Sequence, residues 1–257
     1  MNTLWTFGDS YTAEWFPVDM EGINSTYDMY RKYKGGVLPD VWPTILSNKL
    51  DMNLSNLGIG GNCNYGILLQ FSDVCDNIKE GDILIFGWSK VARYMAANFK
   101  EDIFNHILPV DQDYSATYLS KKTIEENFYN RTHHLWTTEV HRWIYMINSF
   151  ARKMGCKVYH WAIDDLVLSK NDKFTQDDNY ILQRNEDYPN VDLIGYFALP
   201  IHYRDELIGK IIDETNEKIM DRHLSEYGHK LQAQYFYDFI TNDNPTYKKY
   251  DFNPKNL

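Results

Sequence analysis

The amino-acid sequence predicts an α/β fold of three layers, α/β/α, around a mostly parallel sheet of about five strands. Three observations predict it. Continuous apolar runs such as Ile83-Leu84-Ile85-Phe86 lack the alternation of a strand with one wet face, so they read as strands covered on both sides. Between these runs lie segments whose apolar residues recur at helical spacing, and an alternation of strand and helix calls for parallel crossovers. The runs also end at glycines, acids and small polar residues, the composition of tight strand-to-helix turns.

Taken in order, Thr3-Leu4-Trp5-Thr6-Phe7 is a short buried strand that ends at once in Gly8-Asp9-Ser10. Ligands bind at the carboxyl ends of parallel strands, so Ser10 is placed on the rim of a site. A serine there serves either as a nucleophile or as a helix N-cap. Residues 11–40, with many tyrosines and little periodicity, read as a long loop or insertion. Asp40 offers an N-cap to a helix in which Val41, Trp42, Ile45, Leu46 and Leu50 share a face, with Pro43 tolerated in the first turn. Asn53 to Leu57 is a second strand, ending in Gly58-Ile59-Gly60-Gly61-Asn62. A helix follows, carrying Ile67, Leu68, Phe71, Val74, Cys75 and Ile78 on one side.

Gly81-Asp82 turns the chain into Ile83–Phe86, the third strand, which stops at Gly87-Trp88-Ser89-Lys90. Residues 94–136 are mixed in pattern and read as a second insertion with some helix. Thr137 or Thr138 then opens the clearest helix, where Val140, Trp143, Ile144, Ile147, Phe150, Ala151 and Met154 keep the helical spacing and Gly155 is the C-cap. Lys157–Ile163 is the fourth strand, and Val191–Leu199 a fifth strand or a buried loop. Asp205 to Met220 is helical in part, Asp221-Arg222-His223 interrupts it, and a last helix runs from about Ser225 to Ile240. The tail after Thr241 is expected to fray. With no repeat and no linker, residues 1–257 form a single domain.

Composition narrows the function classes. With 257 residues, 44% of them hydrophobic, the chain buries a sizeable core. A formal charge of −10 argues against nucleic acid or an anionic membrane as partner. Three cysteines without a C-x-x-C pair fit a reducing compartment and no zinc site, although one disulfide with a leftover thiol stays open. No segment approaches the roughly eighteen apolar residues of a membrane span, and no basic, apolar leader precedes Thr3, so a cytoplasmic location, or release without a cleaved signal, is expected. His133, His134 and His141 have no H-E-x-x-H frame and read as surface histidines rather than metal ligands. Arg93 reads as a solvated helix residue, and no phosphate loop of the G-x-x-x-x-G-K type occurs.

Four short blocks, in order, resemble the SGNH or GDSL hydrolase family. They are Gly8-Asp9-Ser10; Asn56-Leu57-Gly58-Ile59-Gly60-Gly61-Asn62; Gly87-Trp88-Ser89; and Asp221-Arg222-His223-Leu224-Ser225-Glu226-Tyr227-Gly228-His229. The resemblance implies a flavodoxin-like sheet and a serine esterase. Ser10 is then the nucleophile, His223 the base and later the acid, and Asp221 its orienting partner. The backbone N–H groups of Ser10 and Gly61, joined by Ser89, form the oxyanion hole.

The chemistry asks for such a set independently. A serine hydroxyl is a poor nucleophile until a histidine takes its proton, and that histidine needs its tautomer fixed. Asp221 and His223, two residues apart, diverge by about 200° on a helix and share a face only in an extended segment, which agrees with the broken helical pattern there. Two departures from the family stand out. Ser89 holds the place where asparagine usually stands, with one shorter donor. One residue rather than two separates Asp221 from His223, so a backbone carbonyl is an alternative orienting group, leaving a Ser-His dyad. His229, six residues on, reads as structural. The implied substrate is a small-molecule, carbohydrate or lipid acyl ester, set by the two insertions, and no metal or organic cofactor is implied. A fold retained as a binding or structural module within a larger assembly is the alternative.

Overall fold

A computed structural model describes residues 1–15, 31, 35–89, 93–98, 103–109, 133–162, 193–196, 224 and 226–241. Its strands and helices are β1 (Thr3–Phe7), α1 (Trp42–Leu50), β2 (Asn53–Asn56), α2 (Asn64–Val74), β3 (Ile83–Trp88), β4 (Arg93–Asn98), β5 (Ile103–Pro109), α3 (His133–Met154), β6 (Lys157–Ala162), β7 (Leu193–Tyr196) and α4 (Glu226–Thr241). Five strands form one sheet in the order β2-β1-β3-β6-β7, and every pairing in it is parallel. Counted within the sheet this is the flavodoxin-like order 2-1-3-4-5, whose direction of growth reverses between β1 and β3.

The two-faced burial that the apolar runs predict is visible residue by residue. Along β3, Leu84, Phe86 and Trp88 enter a core layer with Ile67 and Phe71 of α2 and Val140, Ile144, Ile147 and Ala151 of α3. Ile83 and Ile85 enter the opposite layer, with Trp42 and Leu46 of α1 and Ala233, Phe236 and Ile240 of α4. β6 repeats the alternation, Val158 and Ala162 on the first side, Tyr159 and Trp161 on the second. Because successive side chains point to opposite faces, such strands need helices on both sides, and the three layers follow.

One polar ring lies inside the first layer. His160 of β6 is fully buried, stacked on Phe86 with centroids 5.3 Å apart and on Trp88 at 5.9 Å. The Trp88 indole N–H donates to its Nδ1 (3.1 Å), and Nε2 lies 2.9 Å from the Asn148 amide. Burial pushes its pKa down from 6.5 to about 3.

Several boundaries differ from the sequence reading, for identifiable reasons. The N-cap of α1 is Val41, not Asp40, and it makes no side-chain cap bond. The first-turn N–H of Trp42 is instead taken by buried His229 of α4, whose Nδ1 accepts it at 3.1 Å, consistent with a structural role for that histidine. α3 starts at His133, ahead of Thr137; Trp136, four residues before Val140, continues the helical spacing of apolar residues backward past the two threonines read as its opening. Its end is as expected: Gly155, at φ +73°, donates to Arg152 O while Cys156 donates to Ala151 O, a Schellman pair. Arg93 opens β4 rather than lying on a helix, and β4 and β5 form an antiparallel hairpin within the insertion read as 94–136. Among the described residues no helix is long and apolar enough to cross a membrane. The segment 205–220 and the tail after Thr241 lie outside the described residues.

Candidate active site

Beyond the carboxyl end of β1 the chain makes one helical turn. Asp9 O accepts from the N–H groups of Thr12 and Ala13, both at 3.0 Å, and the Asp9 side chain accepts the Tyr11 N–H at 3.0 Å. Asp9 is therefore the capping residue of this turn, which relieves Ser10 of that task. Ser10 is half-buried and its side chain has no hydrogen-bond partner among the described residues.

The second block packs directly on this turn. Leu57 N–H continues the β1–β2 pairing to Thr6 O (2.8 Å), and Ile59 N–H reaches Gly8 O (3.1 Å). Asn56, at the end of β2, accepts from Thr6 Oγ1 (2.9 Å) and Gly58 N–H (3.1 Å) while its amide donates to Thr12 O (2.9 Å). Gly58 lies so close that a Cβ there would stand 2.5 Å from Ala13 N. Gly61 is different: nothing lies within 4 Å of the Cβ it lacks, but its φ of +74° is left-handed backbone, which favours glycine.

The third block joins through Ser89, wholly buried at the end of β3. Its hydroxyl donates to Asp9 Oδ2 at 2.8 Å. Its backbone is held by Asn64 at the start of α2, with Ser89 N–H to Asn64 Oδ1 at 2.7 Å and Asn64 Nδ2 to Ser89 O at 3.1 Å. Thr12 packs its hydroxyl against the bare Cα of Gly8 and Gly87; a Cβ on Gly87 would meet Thr12 Oγ1 at 2.9 Å and the Trp161 ring at 2.7 Å. Gln70 of α2 completes the frame, accepting Gly8 N–H at 3.1 Å and donating to Gly8 O at 3.3 Å.

Three of the four blocks thus meet at the carboxyl ends of β1, β2 and β3, where the sheet order reverses. Asp221 and His223 lie outside the described residues. The nearest described neighbours bear on where the fourth block enters. Leu224 is buried in the layer beneath α1 and α4. His229 binds Trp42 N–H, and the Trp42 indole donates to Tyr11 O at 2.7 Å, so the amino-terminal half of α4 is tied through two bonds to the residue after Ser10.

Sequence reasoning did not single out Asn64, Gln70 or Thr12. A signal existed for Gln70, a polar residue set among Ile67, Phe71 and Val74 on the apolar side of a predicted helix. Asn64 and Thr12 carried none, since both are ordinary residues for a helix start or a turn.

No family model and no curated protein matches the chain. Among solved structures it is similar to a member of the lipolytic protein G-D-S-L family from Veillonella parvula, at 14% identity over 94% of this chain and 100% of that one, with a TM-score of 0.44. It is also similar to Axe2, an acetylxylan esterase from Geobacillus stearothermophilus, at 11% identity over 94% and 95% of the two chains and a TM-score of 0.43. A third is LAE5, an alpha/beta hydrolase enzyme from the metagenome of Lake Arreo, at 12% identity over 91% and 93% with a TM-score of 0.41.

Proposed function

We propose that this protein is a serine hydrolase that cleaves a carboxylic ester with Ser10 as nucleophile. The observation that carries the reading is the division of labour in the first turn. Asp9 caps it with its own carboxylate, and Ser10, at the switch point of a parallel sheet, is left half-exposed with no partner for its hydroxyl among the described residues. A serine serving as a cap would have the opposite arrangement.

In this reading His223 takes the Ser10 proton as the hydroxyl attacks the ester carbonyl, then returns it to the departing alkoxide. Asp221 orients His223 and stabilises its positive charge. The tether from His229 through Trp42 to Tyr11 supports this assignment, because it brings the start of α4 beside the Ser10 turn and His223 lies six residues earlier. The developing oxyanion is met by the backbone N–H groups of Ser10 and Gly61. The left-handed backbone at Gly61 supports that role, since a turn of this kind aims N–H groups outward. Water then resolves the acyl-enzyme by the same steps. The substrate is a small-molecule, carbohydrate or lipid acyl ester, chosen by residues of the two insertions.

One observation favours the rival reading, a fold kept for binding: the Ser89 hydroxyl, the third oxyanion donor by motif, is directed at Asp9. Reaction with a fluorophosphonate, followed by mass mapping, separates the two. The expected outcome is an adduct on Ser10 that is absent in Ser10→Ala and His223→Ala. A folded, monodisperse wild-type chain that takes up no probe would end the enzyme reading.

A further inference from the structure

The geometry points to Ser89 as a positioning residue for the Ser10 turn rather than an oxyanion donor, an inference that rests on Ser10 being the nucleophile. A serine hydroxyl has one proton, and this one lies on the 2.8 Å bond to Asp9 Oδ2. Neither partner is at the surface: Ser89 is 0% and Asp9 1% exposed. The other Asp9 oxygen accepts Tyr11 N–H, and Asp9 O holds Thr12 and Ala13. One carboxylate therefore bridges the third block to the turn that presents Ser10.

The anchor of this bridge is itself fixed. Asn64, 4% exposed, grips both the N–H and the carbonyl of Ser89, so the direction of the Ser89 side chain is set by its rotamer alone. The path Asn64–Ser89–Asp9–Tyr11 links the start of α2, the end of β3 and the Ser10 turn into one unit. Serine's short reach, which counts against it as an oxyanion donor, is what lets the hydroxyl sit on Asp9 with both residues buried. Without the hydroxyl a buried carboxylate oxygen loses a donor, and the turn is free to relax.

A double-mutant cycle tests this in the full-length chain, using Ser89→Ala, Asp9→Ala and the pair, with ester turnover and fluorophosphonate labelling rate as readouts. The positioning role predicts that Ser89→Ala lowers kcat roughly ten- to a hundredfold with KM unchanged. It also predicts that the double variant is no slower than the slower single one. Ser89→Cys, whose thiol is somewhat larger than the hydroxyl and donates only weakly, falls between wild type and Ser89→Ala, and it carries the test should an alanine variant fail to fold. Effects that multiply, or a Ser89→Cys variant indistinguishable from wild type, overturn the positioning role while wild-type labelling still upholds Ser10 as nucleophile. A wild-type chain that neither labels nor turns over defeats the nucleophile reading itself, and with it this role.

Discussion

His160 makes the stability of this protein depend on pH in a way that can be worked from its surroundings. The ring is wholly buried in the apolar layer, accepting from Trp88 and facing the Asn148 amide, and burial favours its neutral form. Its pKa falls from 6.5 to about 3 because burial penalises the charge. Between those two values the unfolded chain holds a proton that the native one does not. Stability is therefore greatest above 6.5 and is lost as pH falls toward 3, at about 1.4 kcal/mol per pH unit for one proton. At about pH 5 the loss is about 2 kcal/mol, worth about 4–8 °C in midpoint for a chain of this size. Urea unfolding of wild type and His160→Gln across this range is the assay. The variant is less stable near neutrality, yet its stability declines less steeply on acidification, by one proton, because all other histidines cancel in the comparison. Parallel pH slopes for the two chains, or a His160 ring signal that titrates near 6.5 in the folded protein, would refute the reasoning.

Other perturbations probe the frame around Ser10. Gln70→Ala leaves the buried N–H of Gly8 without its partner and is expected to cost about 1–3 kcal/mol, read from the urea midpoint. Gly61→Ala meets no neighbour, so its penalty is the left-handed backbone alone, about 1–2 kcal/mol, and Gly61→Asn recovers part of it. Gly58→Ala drives a Cβ into Ala13 backbone and costs about 3 kcal/mol or more; equal midpoints for Gly58→Ala and Gly61→Ala would show that the loops do not touch. His229→Phe strands Trp42 N–H at the start of α1 and is expected to lower stability by about 1–3 kcal/mol, with thermal melting as the check.

The parallel sheet was legible because its signal is local: each strand is a run of apolar residues, and the glycines and acids behind it mark the turns. The same locality made Gly8, Ser10, Gly61 and Ser89 identifiable as residues at strand ends. What escaped depends on partners far along the chain. That Val41 rather than Asp40 precedes α1 follows from an acceptor on His229, which no reading of residues 40–44 contains. The β4–β5 hairpin has mixed side chains and no turn dipeptide to announce it. Ser89 could be placed at the site from its motif, but the direction of its one proton is decided by Asp9, eighty residues earlier.

The position of β1 has a consequence for how the chain is made. Thr3 pairs with Asn53 and Leu4 with Ile83, so this strand lies between two neighbours that are synthesised 50 and 79 residues after it. Until both exist, an apolar segment with two open edges is presented to the cell, the form most prone to join the wrong chain. Sheet growth cannot begin at this strand and spread outward. It has to wait for long loops to close, and closing them costs entropy before the pairing of Thr3–Phe7 with its neighbours can repay it.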